Sequence, residues 1–162
     1  MKKCLYLLAL IFLVSSCTED VKFNNPAFQT LKNNDFWRAR NYEAHIESNG
    51  NLIIEGSLGY EKVTLQTQSP QAKTYVLGVD EASKAMFSDT FPERLSEFST
   101  GVDSGSGQIV ITEYDVVNKT ISGTFKFNAV NADEEDIENP TISFTEGVFY
   151  KVPVSEGSVL IE

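Results

Sequence analysis

Residues 107–130, GQIVITEYDVVNKTISGTFKFNAV, decide the fold. In their second half, Ile121, Phe125, Phe127 and Ala129 alternate with Ser122, Thr124, Lys126 and Asn128, the period of a pleated strand with one dry face. The first half, 108–114, is rich in β-branched and aromatic residues (Ile109, Val110, Ile111, Thr112, Tyr114), and the polar link 115–119 is short enough to turn the chain back antiparallel. The stretch is therefore a β-hairpin with a face to bury. A lone hairpin is marginal in water, so the flanking segments must supply further strands and a second layer.

Upstream, Phe36, Trp37, Tyr42, Ala44 and Ile46 open a first strand, and Asn49-Gly50 is the pair that best tolerates the positive φ angles of a tight turn. Leu52-Ile53-Ile54 makes a second strand, with Gly56 marking a bulge or a close backbone approach. Val63, Leu65 and Thr67 make a third, and Tyr75, Leu77 and Val79 a fourth after a turn at 69–72, so this part reads as a meander. Residues 85–88 favour strand, whereas Pro92 followed by Leu95 and Phe98 at helical spacing predicts one short helix over 92–98. Downstream, 131–139 is an acidic loop and 141–154 holds the last strands, in which Ile142 and Phe144 share a face, Gly147 interrupts and Pro153 ends the pairing. Eight or nine short strands predict an all-β fold: an antiparallel meander forming a single sandwich or a lipocalin-like barrel. A barrel would offer a ligand cavity at its mouth; a sandwich would confine recognition to loops or an exposed face.

With 162 residues, 41% of them hydrophobic, the chain suits one domain with one core. Lysine and arginine number 13 against 23 acids, a net charge of −10. That sign opposes nucleic-acid binding, which needs a basic face, and electrostatic adhesion to anionic headgroups. It suits an exported domain kept soluble by its charge.

Met1-Lys2-Lys3 followed by the apolar run 5–14 reads as a signal peptide over 1–16, because ten residues are too few to cross a bilayer as a helix. Its end, Val14-Ser15-Ser16-Cys17, resembles the lipobox of bacterial lipoproteins, in which small side chains fit the signal peptidase and the cysteine thiol carries the lipid. Cys17 is then the lipid-attachment residue and the membrane anchor. Cys4 is discarded, which leaves one cysteine and excludes an internal disulfide or a thiolate metal site. Thr18-Glu19-Asp20 resembles the acidic export signal of surface lipoproteins in the Bacteroidetes. The expected organisation is a lipidated tether at 17–34, a β-domain at 35–154 and a C-terminal tail at 155–162.

Taken with the lipobox, the Phe36-Trp37 start, the Asn49-Gly50 hairpin, the runs 107–112 and 121–127, and Thr145-Glu146-Gly147-Val148-Phe149, the chain resembles the uncharacterised lipoproteins of the Bacteroidetes, a family of unknown function. The resemblance implies an all-β lipoprotein of a diderm envelope and brings no catalytic residue; the expected location is the outer membrane, with the domain facing the periplasm or exposed on the cell surface.

Candidate chemistry is sparse. His45 is the only histidine, and its place opposite Ala44 and Ile46 in the alternation predicts an exposed cross-strand position. Asp103-Ser104-Gly105-Ser106-Gly107 reads as a turn and not as a nucleophile elbow. No spacing selects a carboxylate pair for glycoside hydrolysis. Asp133-Glu134-Glu135-Asp136 offers oxygen ligands for calcium, but without the glycine and alternation of an EF-hand it reads as a solvated loop. Trp37, Phe36 and Tyr42 are candidates for an aromatic platform under a sugar ring, against a core or end-capping role for Trp37. The expectation is a non-enzymatic binding module without a cofactor, whose partner is a glycan, a small apolar ligand or an envelope protein. An assembly role in the envelope is the alternative, and a hydrolase the third.

Overall fold

A computed structural model of the chain describes Asn25 and residues 27–156. The signal peptide, the lipobox Val14 to Cys17 and the final residues of the expected tail lie outside the described residues. Eleven strands follow in order: β1 (Ala27–Lys32), β2 (Asp35–Arg38), β3 (Asn41–Ile46), β4 (Leu52–Leu58), β5 (Glu61–Thr67), β6 (Thr74–Leu77), β7 (Lys84–Asp89), β8 (Ser96–Ser99), β9 (Ser106–Asp115), β10 (Thr120–Asn131) and β11 (Thr141–Glu156). Together they form one large mixed sheet, and the fold is all-β with no helix among the described residues.

The hairpin of β9 and β10 exists in the expected register, Thr120 opposite Asp115 and Asn128 opposite Ser106. β10 and the sixteen-residue β11 pair along most of their length and act as the hub. On the far side of β11, β1 pairs with residues 144–150 and carries β2 on its other edge. On the far side of β10, β9 carries β6. The remaining strands run β3-β4-β5-β7-β8 and join the hub at two places: β3 lies parallel to β11 at residues 154–156, and β8 pairs with β10 at residues 130–131.

These two runs of strands face each other across an aromatic core. Phe28 of β1 is fully buried, and a Cβ added to Gly56 of β4 would stand 2.6 Å from its ring. Only a residue without a side chain lets the strands close at that point, which is the close approach the sequence predicts. Gly147 does the same for Phe125, also at 2.6 Å. Phe87 of β7 meets Phe144 of β11 at 5.5 Å between ring centroids, and Phe144 stacks on Phe127 at 4.6 Å. Phe28 and Phe125 lie 5.2 Å apart. Tilted and offset rings at these separations contribute beyond their burial. Among the described residues no buried side-chain nitrogen or oxygen lacks a hydrogen-bond partner.

Several sequence expectations need correction. Among the described residues there are eleven strands instead of eight or nine, and the β3–β11 pairing is parallel, so the sheet is mixed. The meander breaks at β6: β5 pairs with β7, and β6 crosses to β9, with Thr74 opposite Val110. The first strand is two, β2 and β3, separated at Ala39 and Arg40. Residues 27–32, read as part of the tether, form β1, because Phe28 and Thr30 point inward while their polar neighbours suggested a linker. The helix expected over 92–98 is a turn leading into β8; Phe98 is buried but Leu95 stands in solvent, so no apolar stripe forms. The tail expected from Ser155 begins inside β11. Residues 85–88 are strand as expected, within β7.

Candidate functional site

Four connections gather at one end of the sheet: residues 33–34, 59–60, 90–95 and 132–140. Backbone bonds tie them to one another and to the strand ends. Asn33 N–H donates to Ser143 O at 2.8 Å, Thr90 N–H to Tyr60 O at 3.0 Å and Ala132 N–H to Glu97 O at 2.8 Å. Between them opens a cleft of about 440 Å³ with Phe87, Phe98 and Ile142 beneath it.

The wall of the cleft is built from strands distant in sequence. Lys32, at the end of β1, forms an ion pair with Glu61, at the start of β5. The Trp37 indole N–H donates to the second oxygen of the same carboxylate at 2.6 Å. Trp37 is 3% exposed, so its polar edge has found the one partner in reach while its ring packs edge-on against Phe28 at 6.1 Å. The Lys32 ammonium also stands 5.2 Å from the Phe87 ring centroid. Across the cleft, the mostly buried Asp89 accepts from Phe91 N–H at 3.0 Å and faces the Arg94 guanidinium at 3.6 Å. Arg94 in turn lies over Phe91, which meets Tyr60 edge-to-face at 5.2 Å.

The acidic loop closes the third side. Its side chains hold the loop itself: Asn131 donates to Asn139 O at 2.9 Å and to Asp136, Asp133 accepts from Glu135 N–H at 3.0 Å, and Asp136 accepts from both nitrogens of Asn139. Such Asx-type bonds give a run of like charges a defined loop conformation. No group of three or more His, Cys, Asp or Glu side chains suited to a metal occurs among the described residues. Residues 89–97 and 131–140 carry eight carboxylates and one cation, Arg94. Leu95 and Ile137, 71% and 84% exposed, give each loop one apolar tip.

The sequence candidates are scattered. His45 is half-buried on β3, opposite Ile53 and Ser155, and does not line the cleft. Ser104 pairs with Gly101 in a tight bridge, consistent with the turn reading. The aromatic platform does not form, because Phe36 and Trp37 are successive residues on β2 and face opposite ways: Phe36 is 68% exposed and Trp37 buried. Lys32 and Glu61, which shape the cleft, carry no signal in the sequence; their meeting depends on β1 lying over β5, which only the three-dimensional pairing reveals.

The chain belongs to the family described as a domain of unknown function, DUF6252, which matches residues 24–153. The match includes β1 and so agrees with a domain that starts before residue 35. No curated protein matches the chain, and no solved structure does.

Proposed function

We propose that this family member is a lipid-anchored outer-membrane lipoprotein of the Bacteroidetes type, a non-enzymatic module that uses its cleft end to bind a protein partner of the cell envelope. In this reading Cys17 carries the lipid, and the two runs of strands are the layers of a filled sandwich joined at two corners. The observation that carries it is the polarity of the domain. β1 starts at Ala27 and runs toward the cleft, so the chain joins the sheet at the end away from Lys32. A lipid at Cys17 then leaves the cleft facing away from the bilayer. The cleft supports a protein partner over a small apolar ligand, because it is open and charged at its walls.

The test places a photo-activated cross-linker at Leu95, at Ile137 and, as a control on the opposite side, at Glu113, in cells producing the full chain. A discrete adduct formed from positions 95 and 137 and absent from 113 is the expected result. No adduct, or the same ladder from all three, overturns partner binding. Metabolic labelling with a clickable fatty acid checks the anchor independently: the label should be lost in Cys17→Ala.

A further inference from the structure

The end of the sheet opposite the cleft presents a different chemistry. The connection between β9 and β10, residues 116–119, has Val116 and Val117 at its tip, 66% and 91% exposed. Polar residues usually occupy such positions. Here the polar groups of the turn satisfy one another: the Asp115 carboxylate accepts from Val117 N–H at 3.0 Å, from Asn118 N–H at 2.9 Å and from the Asn118 side-chain amide at 2.6 Å. The turn therefore offers outward two adjacent valines, flanked by the exposed Asn118 and Lys119.

Their position relative to the chain's start is fixed by register. Ala27 lies opposite Tyr150, while Ile121 and Thr120 lie opposite Val152 and Pro153. The β9–β10 turn thus projects past the row where the chain joins the sheet, by roughly 10 Å at the strand rise per residue. The ten residues from Cys17 to Ala27 reach at most about 35 Å when fully extended. Lys119 stands beside the valines, and Lys151 lies over the Tyr150 ring at 5.4 Å, residue types that place an apolar body inward and a charge at the headgroup level. The loops 89–97 and 131–140, with their eight carboxylates, are at the other end, where an anionic surface repels them; the β3–β4 turn contributes Glu47 to the tip end.

We propose that the Val116-Val117 tip docks on the surface of the bilayer to which the chain is anchored and holds the domain upright, with its cleft outward. This rests on the lipid-anchor reading above. The tether makes the contact intramolecular, so two side chains suffice where a free protein would need a larger apolar face.

The test uses the full acylated chain in vesicles of phosphatidylethanolamine and phosphatidylglycerol. Once Cys17 is in thioether linkage, Val117→Cys supplies a single reactive thiol for an environment-sensitive fluorophore, and Ile137→Cys supplies the control. Brominated lipids should quench the probe at position 117 at least threefold more than at 137. A probe at Val116→Cys should lose most of its quenching when Val117→Ser is added; both valines are exposed, so these variants keep the fold. Protein that floats with the vesicles while the probe at 117 is quenched no more than at 137 overturns the docking tip and leaves the anchor standing. Protein that does not float and carries no fatty acid overturns both. Disulfide-linked dimers formed through position 117 on the vesicle assign the tip to a second copy of the chain and overturn lipid contact.

Discussion

The two ends of the sheet are built on opposite plans. At the cleft end, side chains from β1, β2 and β5 converge over buried aromatics, and the charges are locked to one another: Lys32 with Glu61, Arg94 with Asp89. At the tip end the turn is closed by one aspartate bonding its own neighbours and is tied to β11 by Val154 N–H, which donates to Lys119 O at 2.8 Å, while its two valines stand in solvent. One end is therefore an extension of the core, and the other an appendage of a hairpin. Changes at the first should propagate into stability, whereas changes at the second should alter only what the turn touches.

The sharpest break of that contrast is at β1. Phe28→Ala should cost about 3–5 kcal/mol in urea unfolding, because it empties a site packed between Gly56, Trp37 and Phe125. A cost below about 1 kcal/mol would mean that β1 is a tether after all and that the cleft end has no core support. Glu61→Ala should follow at about 2 kcal/mol, since it strands the buried Trp37 indole N–H and the partly buried Lys32 ammonium together. Thermal unfolding gives the loss, and a change in the emission of the single tryptophan reports whether the indole has been released.

The parts of this fold that were legible in the sequence were those written in local pattern. The alternation of 121–129, the Asn49-Gly50 turn and the close approach at Gly56 each depend on neighbours along one strand or one hairpin, and each stands in the structure. Gly50 has a φ of 90°, as its turn requires. What was illegible depends on who pairs with whom. β6 follows β5 closely and has the right alternation for a meander, yet its partner is β9, more than thirty residues on. β1 was hidden by polar neighbours, since four of its six side chains are only partly buried and read as linker. The link 115–119 reads as polar from Asp115, Asn118 and Lys119, yet the Asp115 carboxylate is occupied by the turn's own amides, and Val116 and Val117 share the exposed tip with Asn118 and Lys119. The candidate site followed the same rule: Trp37 could be singled out as a large residue at a strand start, but Lys32 and Glu61 acquire meaning only when two ends of the sheet close over them.

The appendage plan predicts small effects at the tip. Val116→Ser with Val117→Ser should change the unfolding free energy by less than about 0.5 kcal/mol, because both side chains stay mostly in water on folding. A larger loss would show that the valines pack on something in the free domain and would erase the distinction between the two ends.

The smallest effect is a protonation at the same turn. Asn118 N–H, then the Asn118 side chain and Val117 N–H, with Lys151's charge in support, hold the Asp115 carboxyl below the usual carboxylate range. All of these favour the ionised form. Its contribution is therefore fully present above the ordinary carboxylate pKa and is lost as the pH falls through the depressed one. Because the group is exposed, the loss should be mainly local: the amide signals of Val117 and Asn118 should titrate together and their protection factors against hydrogen exchange should fall at acid pH, while the midpoint of global unfolding follows nearly the same pH dependence in Asp115→Asn as in the parent chain. If the substitution instead removed a substantial part of the acid sensitivity of the whole domain, the turn would be coupled to the core, and the tip would be as firmly built in as the cleft.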